Sequence, residues 1–142
     1  MRLYSVALTA LAIDAPQKWT DNLLAHYDIP DVRSRKRGVA RGVSWPGLVR
    51  IALIRELHVA LGCGVREAVA LSDVLLRAPS GEVAVGRWAT LGFERSTLEQ
   101  DLQRGLAEAL ESAPRPRRGR PARRAVATKV GRAGVENDAG RR

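Results

Sequence analysis

A chain of 142 residues with 45% apolar residues has room for one compact domain and a buried core, and not for two full domains. A single cysteine excludes an intramolecular disulfide and a cysteine-based metal site, and no apolar run approaches the ~18 residues of a membrane span. The net charge of +9 is unevenly placed: residues 114–142 carry ten Arg or Lys against two acids, while residues 1–113 carry fourteen against thirteen.

A nearly neutral body therefore continues into a polycation, and anionic partners come first, nucleic acid ahead of others because phosphate neutralisation releases counterions. Of the 24 basic residues 21 are Arg. Arg grips a phosphate or a guanine edge with a two-donor fork that Lys lacks. A GC-rich coding sequence accounts for much of that ratio, but not for the clustering.

Ser5 to Ile13 reads as a first short helix with Val6, Leu8, Leu11, Ala12 and Ile13 apolar. Arg2 followed by LYSVALTALAI also has the outline of a short signal peptide. The single leading charge, the lone Cys63 and the continuation into a second helix favour the helical reading and a cytoplasmic location. Asp14 is placed to cap the second helix, with Gln17 three residues on at capping-box spacing.

That helix is expected from about Ala15 to Tyr27. At 100° per residue Trp19, Thr20, Leu23, Leu24 and Tyr27 share one face, and Gln17, Lys18, Asp21, Asn22 and His26 share the other. Ile29-Pro30 ends it. Asp31 to Ser44 reads as a hairpin or extended wing, with Gly38 at the turn, Val39 and Val43 inward, and Arg33, Arg35, Lys36, Arg37 and Arg41 outward with no acid among them.

Ser44 and Pro46 then open a third helix to Leu61 that is apolar over most of its circumference, as a sandwiched strut is. Gly62-Cys63-Gly64 breaks it. Val65 to Arg77 is a fourth helix, and Glu82 to Glu94 is read as two short strands in a hairpin. Ser96-Thr97-Leu98-Glu99 has capping-box spacing and opens a fifth helix to about Ser112. Its stripe of Leu98, Leu102, Leu106, Ala109 and Leu110 has either the body or a second chain to dock on, and Gly105 inside it costs ~1 kcal/mol relative to Ala. From Pro114 onward no apolar periodicity survives, and the Arg/Pro/Gly/Ala composition predicts a disordered tail.

The order helix, turn, helix, basic wing and two apolar helices resembles the MerR-like winged helix-turn-helix DNA-binding domain. The matching stretches are HYDIP at the end of the second helix, RKRGVARGVS as the wing, and PGLVRIALIRELHVALGCGVREAVALSDVLL as the helix pair with its glycine turn. Together they cover about residues 3–78. The resemblance implies a mainly α fold with a winged helix head over 1–79; the residues after it read as the hairpin and amphipathic helix over 80–113 and the basic tail over 114–142.

It also implies a regulator that binds double-stranded DNA as a dimer, with 96–112 as the segment available for a homodimer. Gln17, Lys18, Asp21 and Asn22 would face the major groove. Asn suits adenine there, Lys suits guanine, and Asp accepts from a cytosine amino group. Arg33, Arg35, Lys36, Arg37 and Arg41 would clamp phosphates. The chain departs from the family in lacking a long dimerising coiled coil and a C-terminal sensing cysteine cluster, and in carrying Asp21 where a phosphate-facing helix more often has Arg.

In the tail, Arg118-Gly119-Arg120-Pro121 resembles the AT-hook core. Gly119 and Pro121 keep the backbone slim and extended, Arg120 suits a narrow A·T minor groove, and Arg117, Arg118, Arg123 and Arg124 reach the flanking phosphates.

Other readings of the same features are a nucleoid-type protein that coats DNA without strong site choice, and an antitoxin-like adaptor that uses these helices on a protein. A solvated helix face and a charged loop would also look like this. No Ser/His/Asp arrangement, phosphate-binding Gly-rich loop or carboxylate pair stands out, and His26 and His58 have no third ligand at metal spacing. Neither an enzyme, a cofactor, a metal nor a small-molecule ligand is therefore expected. Trp19, Trp45 and Trp88 read as core or boundary anchors, with base stacking open to Trp88 if its hairpin is exposed.

Overall fold

The chain opens with a two-residue strand, β1 (Tyr4–Ser5), and Ser5 at once caps α1 (Val6–Ala12) by accepting a hydrogen bond from the Leu8 amide at 3.2 Å. The computed structural model describes residues 1–33 and 40–113. Arg35, Lys36, Arg37, Gly38 and Val39 of the expected wing lie outside these residues, as does the whole stretch from 114 on, including Arg117, Arg118, Gly119, Arg120, Pro121, Arg123 and Arg124.

Asp14 does not cap the second helix. It has a φ of 49° and lies in the turn that closes α1, where its amide donates to the Leu11 carbonyl at 3.2 Å. A short polar side chain tolerates that left-handed position. The chain needs two more residues to redirect, so α2 (Gln17–His26) starts behind Pro16 with no side-chain cap. Thr20, Leu23 and Leu24 are its buried residues, as the 3.6-residue period requires.

After α2, β2 (Val32–Arg33) pairs antiparallel with β3 (Gly42–Val43), and β1 takes the other side of β3. The order is β1-β3-β2. Val43 thus stands opposite both Tyr4 and Val32 and is fully buried.

Asp31, with φ 64°, turns the chain into this sheet and accepts from the Ser44 amide at 3.1 Å. Ser44 also caps α3 (Trp45–Ala60) through its side chain, which accepts from the Gly47 amide. Gly47 is required where it stands, because a Cβ there would lie 2.9 Å from the Asp31 carbonyl oxygen.

α3 is the strut that its apolar circumference predicts. Leu48, Ile51 and Ile54 are fully buried, each contributing about 1.5–3 kcal/mol relative to exposure. α4 (Val65–Arg77) packs along it with Ala68, Ser72 and Leu75, and an Arg50–Asp73 ion pair ties the two helices.

Gly81, with φ 67°, then releases the hairpin of β4 (Glu82–Val85) and β5 (Ala89–Gly92). α5 (Arg95–Ser112) follows and returns to the start of the chain, packing on α1 and α3 with Leu102, Leu106 and Ala109 buried. The 80–113 segment therefore completes the same core as the helices before it.

The Ser96–Glu99 capping box is not formed, because α5 begins two residues earlier, behind Glu94. Ser96 Oγ donates to the Glu94 carboxylate at 2.7 Å, and Glu99 pairs with Arg95 at 2.9 Å. The result is a mainly helical fold of five helices with a small antiparallel sheet and a separate hairpin among the described residues. None of those helices is long and apolar enough to cross a membrane.

Candidate nucleic-acid interface

α2 presents two distinct surfaces. Its inner face is held by the buried Leu23 and Leu24 and by Trp19, which is stacked from behind by α3. The Arg55 guanidinium sits 5.1 Å from the Trp19 ring centre, and the His58 ring lies nearly parallel to the indole at 6.2 Å. His58 is itself fixed by a 2.7 Å hydrogen bond from Nδ1 to the Cys63 carbonyl. An aromatic body clamped in this way gives α2 a firm seat despite its ten-residue length.

The outer face carries Gln17, Lys18, Asp21, Asn22 and His26, all exposed. Lys18, Asn22 and His26 follow one another at four-residue steps and form one ridge. His26 Nδ1 donates to the Asn22 carbonyl at 2.9 Å. Because a carbonyl only accepts, the proton sits on Nδ1 and Nε2 is left pointing away from that bond.

The start of β3 reaches this helix directly. Arg41 is half-buried, and its Nη1 donates to the Asp21 carbonyl at 3.4 Å. Arg33 is exposed on β2 opposite Gly42, the residue that follows Arg41. The β2–β3 strand pair is thereby joined to the polar face of α2, and Arg35, Lys36 and Arg37 lie outside the described residues.

The charge around this face is mixed. Asp14, Asp21, Asp28 and Asp31 are exposed and none forms an ion pair among the described residues. Between α2 and the first residue of α4 runs a groove of about 270 Å³, lined by Trp19, Asn22, Leu23, His26, Tyr27 and Val65. Among the described residues no group of three His, Cys, Asp or Glu is gathered as a metal site.

Two participants escaped the sequence reading. Arg55 is one of several charged residues on α3, and nothing local marks it as the partner of a tryptophan 36 positions earlier. The Arg41–Asp21 bond spans 20 positions and depends on how the sheet docks on α2, which no local pattern encodes. No family model, curated protein or solved structure matches this chain.

Proposed function

We propose that the protein is a DNA-binding transcriptional regulator with a MerR-like winged helix-turn-helix head. In this reading α2 enters the major groove with Gln17, Lys18, Asp21 and Asn22 towards base edges. The wing residues Arg33, Arg35, Lys36, Arg37 and Arg41 hold phosphates. The tail lays Arg120 in an A·T minor groove beside phosphate contacts from Arg117, Arg118, Arg123 and Arg124.

The observation that carries the reading is the hydrogen bond from Arg41 to the Asp21 backbone, because it ties a basic hairpin to the exposed polar ridge of a short helix. Phosphate contacts fix register and base contacts read sequence, and the two have to lie side by side for a helix to be held in a groove. The element order supports it further: two short helices, a strand pair, then the α3–α4 pair.

Selection of the full chain on a random duplex pool tests this reading. A specific regulator enriches a site over random duplex by ~10³-fold or more. Asn22→Ala and Lys18→Ala then relax the choice at single positions. Arg33→Ala weakens all duplexes alike and lowers the salt slope by about 1. Salt-sensitive binding with no enrichment would replace the regulator with a DNA-coating protein. Co-purification of a protein partner without salt-sensitive DNA binding would replace it with an adaptor.

A further inference from the structure

The β4–β5 hairpin ends in a bare tryptophan. Trp88 is 87% exposed, although an indole used in a core or interface buries 150–250 Å². The position is built rather than frayed. Four residue pairs run from Glu82↔Gly92 to Val85↔Ala89, Gly86 closes the turn with φ 68°, and Val83, Leu91 and Phe93 seat the base of the hairpin on the core. The Arg87 guanidinium lies 4.9 Å from the centre of the Trp88 ring, covering one face and leaving the other open. From Val83 to Phe93 there is no acid, so Arg87 is the only charge on the tip.

We propose that Arg87 and Trp88 form a base-stacking site for single-stranded or locally unpaired nucleic acid. A base stacks on the open face of the indole, and the Arg87 guanidinium meets the adjoining phosphate. The surroundings favour a nucleobase over a protein. A protein hot spot needs a ring of contacts within about 800 Å² per partner, whereas Trp88 is flanked by Gly86, Ala89 and Thr90, with Val85 the only larger apolar neighbour in the turn. Those small residues make a slim tip on which a flat ring can lie. Base stacking needs only a π-face and an adjacent cation, without hydrogen-bond readout.

This site is separate from the α2 face. Val65, at the start of α4, borders the α2 groove, whereas the hairpin base packs near Leu75 and Leu76 at the other end of that helix. The thirteen residues of α4 span about 20 Å. The two readings share only the nucleic-acid class of the ligand, so each can fail alone.

The test is titration of the full chain, and of Trp88→Ala, Trp88→Phe and Arg87→Ala, with a fluorescein-labelled dT oligonucleotide, and separately with labelled duplex. Trp88→Ala is expected to bind the single strand about 10-fold or more weakly. Trp88→Phe should stay within about 3-fold, since a ring face remains. Arg87→Ala should flatten the salt slope by about 0.7. The long-wavelength tryptophan emission of the wild type is quenched by the oligonucleotide, and that quenching disappears in Trp88→Phe.

Equal single-strand affinity of wild type and Trp88→Ala overturns the proposal. So does loss in Trp88→Ala of a self-association seen by sedimentation in the wild type without any change in oligonucleotide binding, which would assign the tip to a second copy of the chain. Intact duplex selection alongside either result leaves the α2 reading standing. Trp88-dependent single-strand binding without duplex selection removes the α2 reading and keeps this one.

Discussion

Gly105 shows how one residue carries opposite meanings in a helix and in a fold. Within an isolated helix, Gly105→Ala gains ~1 kcal/mol from reduced backbone freedom in the unfolded chain. Here α5 crosses the end of α1 so closely that a Cβ at 105 would overlap the Ala12 carbonyl oxygen, which is backbone and cannot rotate away. The helices would have to separate, and overpacking of this kind costs about 1–3 kcal/mol. Gly105→Ala is therefore expected to lower the midpoint of urea denaturation without changing its slope. A variant as stable as the wild type or more so would mean that α5 does not rest on α1. The same contact decides where the stripe of α5 goes: Leu102, Leu106 and Ala109 are spent on the body, and a homodimer through 96–112 would have to use what they leave exposed, Leu110 among it.

At the scale of elements, Ser44 joins the small sheet to the central helix. Its amide donates to the Asp31 carbonyl and its buried Oγ accepts from the Gly47 amide, so it fixes both the end of β3 and the first turn of α3. Ser44→Ala removes the cap alone and should cost about 1 kcal/mol, read as a lower thermal midpoint. A midpoint equal to the wild type would show that the α3 start is held by Pro46 and packing without the hydroxyl.

This junction also marks how far the sequence could be read. The α3 cap, the α4 limits, the two faces of α2 and the 82–94 hairpin follow from periodicity and turn residues, which are local signals. β1 is two residues long and exists only because β3 pairs with it, so it has no alternation to find. Asp14 and Ser96 satisfy capping spacing, but the chain direction after α1 and the Arg95–Glu99 pair shift the true starts by two residues each. For the candidate interface, the exposure of Gln17, Lys18, Asp21 and Asn22 was legible from the period. The Arg41 bond and the Trp19–Arg55 stack were not, since both depend on docking between distant segments.

For the whole molecule, the division of charge sets what each part can contribute to the proposed DNA binding. Residues 1–113 carry one net positive charge, and the exposed α2 face holds Asp21, which forms no ion pair among the described residues, beside Lys18 and Arg41. Such a surface discriminates better than it attracts, because every carboxylate near a phosphate opposes counterion release while still reading a base edge. Residues 114–142 carry eight net positive charges and hold the Arg118–Pro121 core. If the five arginines assigned to the tail contact, Arg117, Arg118, Arg120, Arg123 and Arg124, each neutralise one phosphate, removal of 114–142 lowers the slope of log K against log salt by about 4.5. Affinity for any duplex should then fall most at low salt, while the preference of the head for its own site over random duplex is retained. The measurement is duplex binding by the full chain and by the 1–113 chain at several salt concentrations, on both the selected site and a random sequence. An unchanged slope would take the tail out of nucleic-acid binding. A loss of site preference along with the slope would move discrimination from α2 to the tail.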